Sequence, residues 1–182
     1  MKPIRKIFWM AGLILLFISS TSNAQNNDSD GVSKDKLLSA AREIMVSAGN
    51  CALITVDENN VPRVRAMDPF LPENDFTVWF GTNAKSRKVN QIKKNSLVTL
   101  YYLDSDASGY VIIHGKAQLI NDQKEKEKYW KPAWEAFYPN KTEAYLLIKV
   151  IPETMEVLSP PRGIVGDPAT WQPPVVQFDR LK

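Results

Sequence analysis

The feature that most constrains this chain is a series of short segments rich in β-branched and aromatic residues, separated by turn signals. Between these segments lie stretches with the periodicity of helices, so that the predicted order is helix, three strands, helix, two strands, helix, two strands. Sheets built from such strands tend to close on themselves, because closure removes exposed edges. The sequence therefore predicts a mainly β (α+β) fold, a barrel or sandwich with peripheral helices. The predicted strands are Ala52–Val56, Val61–Met67, Phe76–Thr82, Leu97–Leu103, Tyr110–Ile120, Tyr145–Ile151 and Thr154–Leu158.

Helical periodicity marks the first and second helices. Residues Lys34–Ala48 place their apolar side chains at the spacing of one helical face, and Gly49 follows as an end signal. In the short second helix, Val89 and Ile92 are expected to face inward, and Asn95 ends the helix. Both helices are therefore expected to pack against the sheet through one side.

The third helix is predicted from its charges and its cap. Asp122 followed by Glu125 has the form of a capping box, and Pro132 is expected to interrupt the helix near its end. We assign the face that carries Lys124 and Lys126 to solvent.

The N-terminus has the pattern of a secretory signal. A basic head precedes the apolar run Ile7–Ile18, and Ser22-Asn23-Ala24 offers a cleavage site before Gln25. The alternative is an uncleaved anchor, but the run is shorter than the roughly 20 residues that cross a bilayer. We therefore predict a cleaved signal peptide (1–24), a linker (25–33), a barrel domain (34–158) and a proline-rich extension (159–182), in a protein exported to the periplasm or beyond.

The extension is predicted to be irregular and to wrap the barrel or a partner subunit. Its expected anchors are Trp171, Val175, Val176 and Phe178.

Charge argues against a general nucleic-acid or membrane partner. The signal segment holds three of the 23 basic residues and none of the 20 acidic ones, so the remaining chain is balanced at 20 and 20. Any basic site in the exported protein must therefore be local.

Three residues in or next to predicted strands have structural interpretations. Cys51 lies in an apolar run and is interpreted as a small buried hydrophobic residue. His114 is interpreted as a hydrogen-bonded strand histidine, and Gly115 predicts a bulge or a close approach of two backbones. One histidine and one cysteine cannot build an ordinary zinc or haem-iron ligand set, so no metal site is predicted.

One constellation of residues predicts a phosphate site. Ser86, Arg87 and Lys88 open the second helix, where free backbone amides and the helix dipole favour an anion. Arg63 and Arg65 share one face of the second strand, because strand side chains alternate. Each of these residues taken alone is more typical of a solvated surface, so the prediction rests on their combination.

The same residues carry a resemblance to a known family. The string Phe80–Ile92, which contains Thr82-Asn83 and Ser86-Arg87-Lys88, resembles the phosphate-binding pattern of the pyridoxamine 5'-phosphate oxidase-related and general stress proteins. Arg65-Ala66-Met67 upstream and Tyr110–Ala117 downstream also fit, so that the resemblance covers residues 34–151.

The resemblance implies a split β-barrel that binds FMN in a groove at the interface of a homodimer. It implies a phosphate held by Arg65, Ser86, Arg87 and Lys88, with Met67, Phe80 and Thr82 along the flavin and its ribityl chain and backbone groups near Ala66 at the ring edge. For Phe80, simple core packing is an equal alternative.

The resemblance also bears on activity. It implies an FMN-dependent oxidoreductase of the general stress type, with unknown substrate and no nameable catalytic residue. Pyridoxamine phosphate oxidases end in a strand with Arg-x-His, whereas this chain has Val175-Val176-Gln177 there, which argues against a vitamin B6 substrate. The alternative is a non-enzymatic, exported module that carries a flavin or another planar cofactor such as haem.

Overall fold

The computed structural model describes residues 31–138 and 141–179. The predicted signal peptide and most of the predicted linker lie outside these residues. Within them, no helix combines the length and the apolar character that a membrane span requires.

The described chain contains seven strands and four α-helices. The first helix and the fourth and fifth strands begin and end where the sequence predicts. The elements are α1 (Lys34–Ala48), β1 (Cys51–Val56), β2 (Pro62–Met67), β3 (Val78–Asn83), α2 (Arg87–Lys94), β4 (Leu97–Leu103), β5 (Tyr110–Ile120), α3 (Gln123–Lys128), α4 (Lys141–Ala144), β6 (Tyr145–Leu158) and β7 (Val175–Gln177), with 3-10 turns at Pro132–Trp134 and Pro160–Arg162.

The strands form one antiparallel sheet in the order β2-β1-β4-β5-β6-β3, and β7 pairs with the second half of β6. The two ends of this sheet meet just beyond β2, where Pro69 forms a bridge with Phe80 and the Phe70 amide donates to the Trp79 carbonyl at 2.9 Å. The sheet is thus a barrel that closes at one point, which confirms the predicted mainly β fold with peripheral helices.

The core fills the interior of this barrel, because alternate residues of each strand point inward. The helix α1 covers one end of the barrel with its apolar face, as predicted. Its buried side chains include Leu37, Ala41 and Ile44, and the barrel contributes Leu53, Phe80, Leu100, Ile113, Ile148 and Val150 among others. Cys51 is 4% exposed, and burial raises the pKa of its thiol to about 12, which confirms its interpretation as a core residue.

The side chains that point away from the core form two rows across β2, β1, β4, β5, β6 and β7. We call this surface the outer face. Ten of its twelve residues are uncharged, with one imidazole and one carboxylate between them. The first row is Ala66, Ala52, Tyr101, Ile112, Glu156 and Val175, and the second is Val64, Ile54, Thr99, His114, Thr154 and Gln177.

The prediction of two closing strands is wrong, since both belong to the single strand β6. The pairing of β5 with β6 shifts by one residue between His114 and Gly115, which places Gly115 opposite Pro152. A Cβ atom on Gly115 would lie far inside van der Waals contact with the Ile151 carbonyl oxygen. The predicted bulge is therefore confirmed, and it lets β6 continue through Pro152 instead of ending there.

The third helix also differs from its prediction. Its cap is as expected, because the Asp122 carboxylate accepts from the amides of Lys124 and Glu125 at 3.0 and 3.1 Å. However, α3 ends at Lys128, well before Pro132. Tyr129 stacks on the Trp79 ring at 4.3 Å, so tertiary packing ends the helix before proline can do so.

Two of the four predicted anchors of the extension pack against the barrel of the same chain. Val176 is buried and Phe178 packs against the core, but Trp171 is 85% exposed and Val175 also faces solvent. Ile164, which the sequence did not single out, is fully buried instead.

We expect Gly115→Ala to lower the free energy of unfolding by about 1–3 kcal/mol, because the added methyl group overpacks the bulge against a backbone carbonyl. Urea unfolding measures the change. The matched control is Lys116→Ala, which removes only an exposed ion pair with Glu153 and should cost less than about 1 kcal/mol. An unchanged stability in Gly115→Ala would show that the bulge has room for a side chain.

Candidate functional site

The start of α2 presents unpaired amides. Ser86 occupies the cap position, but its hydroxyl makes no capping hydrogen bond to the helix. Asn83 fixes the preceding turn, because its carbonyl and side-chain oxygens accept from the amides of Ser86 and Lys85 at 3.0 and 2.8 Å. The Val89 amide donates to the Ser86 carbonyl at 3.0 Å, but the first-turn amides of Arg87 and Lys88 are available to an external acceptor, and the helix dipole favours an anion there.

Thr82, Ser86 and Lys88 lie together at this helix start. Thr82 is 2% exposed, and its hydroxyl is 3.3 Å from the Ser86 hydroxyl and accepts from Lys88 Nζ at 3.0 Å. Burial lowers the pKa of Lys88 below its ordinary value, and the nearby charge of Arg65 lowers it further. The ammonium is thus held in place at a position where its charge lacks compensation.

Arg65 reaches the same place from β2 and is held by three protein acceptors. Its Nη1 donates to the Leu53 carbonyl at 3.2 Å and to Thr55 Oγ1 at 2.7 Å, and its Nη2 donates to Gln91 Oε1 at 2.9 Å. Thr55 Oγ1 donates in turn to Gln91 Oε1 at 2.6 Å. Because a guanidinium has five N–H donors, Nε and one hydrogen of Nη2 remain for another acceptor.

The three cations of the cluster face one another without a carboxylate. The pKa of Arg65 is lowered by burial and by the charge of Arg87, and no ion pair joins Arg65, Arg87 or Lys88 to an acid in the part of the chain that the structure describes. Arg63, which the sequence predicts to lie at the phosphate site with Arg65, instead pairs with Asp57 at 2.7 Å. Like charges gathered in this way favour a multiply charged anion, since the anion removes their repulsion.

The remaining predicted residues are distributed differently. Ala66 lies exposed on the outer face, one residue from Arg65, and Met67 is 8% exposed at the end of β2. Phe80 is wholly buried in the core, so its side chain offers no surface to a ligand. The structure therefore brings Arg65, Thr82, Ser86, Arg87 and Lys88 into one cradle, with Ala66 and Met67 beside it and Phe80 beneath it.

Sequence reasoning missed Thr55 and Gln91, which position Arg65. Both are nearly or fully buried. The signal was available, because Thr55 occupies an inward position of an apolar strand and Gln91 lies beside the inward Ile92. A polar side chain at a core position requires a partner, which would have pointed to this network.

An aromatic cluster packs against Gly81 of β3, next to Thr82 of the cradle. Trp130, Trp134 and Tyr138 surround the Tyr145 ring, mostly edge to face, with centroid distances of 5.1 to 6.0 Å to that ring. This packing indicates a structural role for the cluster, whereas Phe137 in the same segment is 74% exposed.

The assignment of the third helix to solvent is wrong for one of its lysines. Lys126 is 6% exposed and lines a small cavity with Trp130 and Tyr145, and burial lowers the pKa of its ammonium.

Comparison with known proteins gives one family and a set of similar folds. The family described as "Pyridoxamine 5'-phosphate oxidase like" matches residues 36–165. General Stress Protein 26 from Bacillus anthracis str. Sterne is 22% identical with a TM-score of 0.62, over 78% of this chain and 98% of that chain. A protein related to general stress protein 26 from Clostridium acetobutylicum is 21% identical with a TM-score of 0.67, over 82% of this chain and all of the other.

A more distant similarity is to a heme binding protein from Mycobacterium smegmatis, which is 11% identical with a TM-score of 0.55 over 70% of this chain and 55% of that chain. No curated protein matches the chain in sequence. These likenesses between structures establish the shared fold.

We expect the pKa of Lys88, followed by NMR of its side chain, to lie below the ordinary lysine value and to rise when inorganic phosphate is added. Burial and Arg65 disfavour the ammonium form, whereas a bound anion favours it. Arg65→Gln should raise the same pKa without phosphate. The control is Arg63→Gln on the same strand, which should leave it unchanged because Arg63 faces Asp57. If the pKa of Lys88 changes neither in Arg65→Gln nor on addition of phosphate, the proposed cluster is contradicted.

Proposed function

The chain belongs to the pyridoxamine 5'-phosphate oxidase-like family, and from this membership we propose that it is an exported, dimeric flavoprotein that binds FMN and oxidises or reduces a small molecule. The observation that carries the proposal is the cradle at the start of α2, where Arg65, Arg87 and Lys88 lie together without an acidic partner among the described residues. A phosphate monoester with nearly two negative charges is the group that such a cradle fits best.

The atoms of the cradle suit a phosphate in number and kind. Arg65 would donate from Nε and Nη2, Lys88 from Nζ, and the first-turn amides of α2 from the backbone. Ser86 adds a hydroxyl, and exposed Arg87 closes the solvent side. Hydrogen bonds between charged groups are about twice as strong as neutral ones, so these contacts can supply much of the affinity for the cofactor.

The edge strand β2 offers a path for the rest of the cofactor. β2 pairs with β1 alone, so backbone groups on its other side lack sheet partners over the described strand. A flavin ring carries amide-like donors and acceptors along one edge, which such free backbone groups can bind. We therefore propose that the flavin follows β2 from Arg65 past Ala66 and Met67, in agreement with the family resemblance.

The outer face supports the dimer. Members of this family commonly dimerise. In the single chain, Val64 is 65% exposed and Leu103 at the rim is 46% exposed, on a face with few charges. We propose that a second copy covers this face and completes the groove that holds FMN.

In the proposed activity, the flavin supplies the electron transfer and the protein supplies binding, orientation and polarity. The His114 ring is not placed as a general acid or base for the cradle, since it contacts Thr99 Oγ1 at 3.0 Å and Glu156 at 3.5 Å on the outer face. The strand that carries Arg-x-His in the oxidases has Val175-Val176-Gln177 in this chain, so we assign no vitamin B6 substrate.

The proposal of export rests on the N-terminal sequence. The general secretory route passes unfolded chains, so an exported protein of this kind would acquire FMN after translocation.

A second candidate is a non-enzymatic carrier of a flavin or of haem, which the similarity to a heme binding protein favours. Haem iron needs an axial ligand, and the one histidine of this chain is hydrogen-bonded within the sheet face. The flavin is therefore the better fit. Turnover separates an enzyme from a carrier: an enzyme lets a reductant bleach the bound flavin and an acceptor restore it repeatedly, whereas a carrier does not.

We expect Arg87→Ala combined with Lys88→Ala to weaken FMN binding by about a thousandfold. The change removes two charge-assisted contacts worth roughly 1.5–3 kcal/mol each, and each 1.4 kcal/mol is about tenfold in affinity. Fluorescence titration measures the dissociation constant. Riboflavin, which lacks the phosphate, should bind the variant almost as it binds the parent.

The matched control is Lys93→Ala combined with Lys94→Ala, which removes the same charge from exposed positions at the other end of α2. This control should bind FMN like the parent. A folded Arg87/Lys88 double variant that also binds FMN like the parent would show that the phosphate is held elsewhere.

A further inference from the structure

Trp171 has the most unusual placement of any large side chain in the described structure. Its side chain is 85% exposed, and its backbone lies in the left-handed region with a φ of +61°. Residues other than glycine adopt this region at a cost, and such strain persists only where surrounding contacts impose it. An exposed indole on a strained backbone therefore needs an explanation.

The loop that carries Trp171 is closed by its own hydrogen bonds. The Trp171 amide donates to the Asp167 carbonyl at 2.7 Å, and the Asp167 amide donates to the Gln172 carbonyl at 2.9 Å. The Asp167 carboxylate accepts from the Ala169 amide and from both the amide and the hydroxyl of Thr170, at 2.7 to 3.0 Å. These bonds lower the pKa of that carboxyl group and hold the loop in one shape.

The loop is also tied to the barrel on both sides. Before it, Ile164 is fully buried, and Arg162 contacts Asp104 at 2.7 Å. After it, the Pro174 carbonyl accepts from the Val157 amide at 3.2 Å, and β7 joins the sheet. The indole is thus presented by a fixed frame.

The chain runs from the Trp171 loop directly into the strand that ends the outer face. Val175, four residues later, is the last residue of the first row of that face and pairs with Glu156. The rows carry only His114 and Glu156 as titratable groups other than tyrosine, so charge repulsion does not oppose a second copy. Tryptophan is one of the three residue types that are enriched among the side chains contributing most to the free energy of protein–protein association.

We propose that Trp171 is the anchor by which two copies of this chain associate, each copy placing its indole against the outer face of the other. This inference rests on the dimer in the proposed function and assigns its main contact. In a twofold dimer each copy gives and receives the same contact, so one substitution removes two contacts.

The test is the dimer dissociation constant of the purified protein, measured by sedimentation over a dilution series. Trp171→Ala should raise this constant by at least about a hundredfold, because two buried anchors are lost per dimer. Trp171→Phe should restore much of the association. The matched control is Phe137→Ala, which removes another largely exposed aromatic ring, 74% exposed, from the segment beside the aromatic cluster and should leave the dissociation constant unchanged.

A second variant keeps the indole but removes the hydrogen bonds that hold its loop in one shape. Asp167→Ala removes the acceptor of three loop hydrogen bonds, so that Trp171 is no longer held in place, and it should weaken the dimer by an intermediate factor. Tryptophan emission gives an independent readout. Subtracting the emission spectrum of Trp171→Phe from that of the parent isolates the emission of Trp171. This emission should shift to shorter wavelength as the protein concentration rises through the dissociation constant, because the indole becomes buried in the dimer.

Two results would overturn the inference: a Trp171→Ala protein that dimerises like the parent, or a parent that is monomeric at every concentration. FMN affinity separates this failure from failure of the proposed function. A parent that binds FMN tightly and dimerises without Trp171 would refute the anchor and leave the flavoprotein proposal standing.

Discussion

The guanidinium of Arg65 connects the fold to the site. It bonds the Leu53 carbonyl and Thr55 of β1 and Gln91 of α2, so three elements are held together by one side chain of β2. A half-buried cation of this kind is most stable when its donors are satisfied and its charge is balanced. Protein acceptors satisfy three of the Arg65 donors, but no acid balances its charge among the described residues. The nearest charges are those of Arg87 and Lys88, which repel the guanidinium. The incomplete balance explains why an anion fits at this point of the barrel.

The length of β6 has a similar role for the rest of the molecule. Its first half pairs with β3, whose end carries Thr82, and its second half pairs with β7, which fixes the Trp171 loop. The bulge at Gly115 allows one strand to serve both neighbours. The phosphate cradle and the outer face are therefore held by the same strand, although they lie on different sides of the sheet.

Local patterns predicted much of this structure. The periodicity of α1, β4 and β5 fixed their bounds, and the Ser86-Arg87-Lys88 string located the cradle. What the sequence did not reveal depends on contacts between distant residues. The union of two predicted strands in β6 depends on a backbone approach across from Gly115. Hydrophobicity alone likewise marked Trp171 as an anchor on the barrel or on a partner subunit, because it cannot show whether a closed loop turns its indole inward or outward.

The same limit applies to the charged residues. Arg63 and Arg65 are indistinguishable by alternation, and the structure separates them because Asp57 in the preceding turn takes the first. In the sequence, Thr55 and Gln91 look like ordinary polar residues. Only the folded barrel shows that they surround Arg65. The cations of a cradle can be found from sequence, whereas the neutral residues that position them require the fold.

Whether the cradle holds the phosphate of a flavin can be decided from the absorption spectrum of the protein purified without added cofactor. We expect a yellow protein with flavin bands that releases FMN on denaturation and rebinds it. A colourless protein that fails to bind added FMN, or one that shows only a haem band, would contradict it.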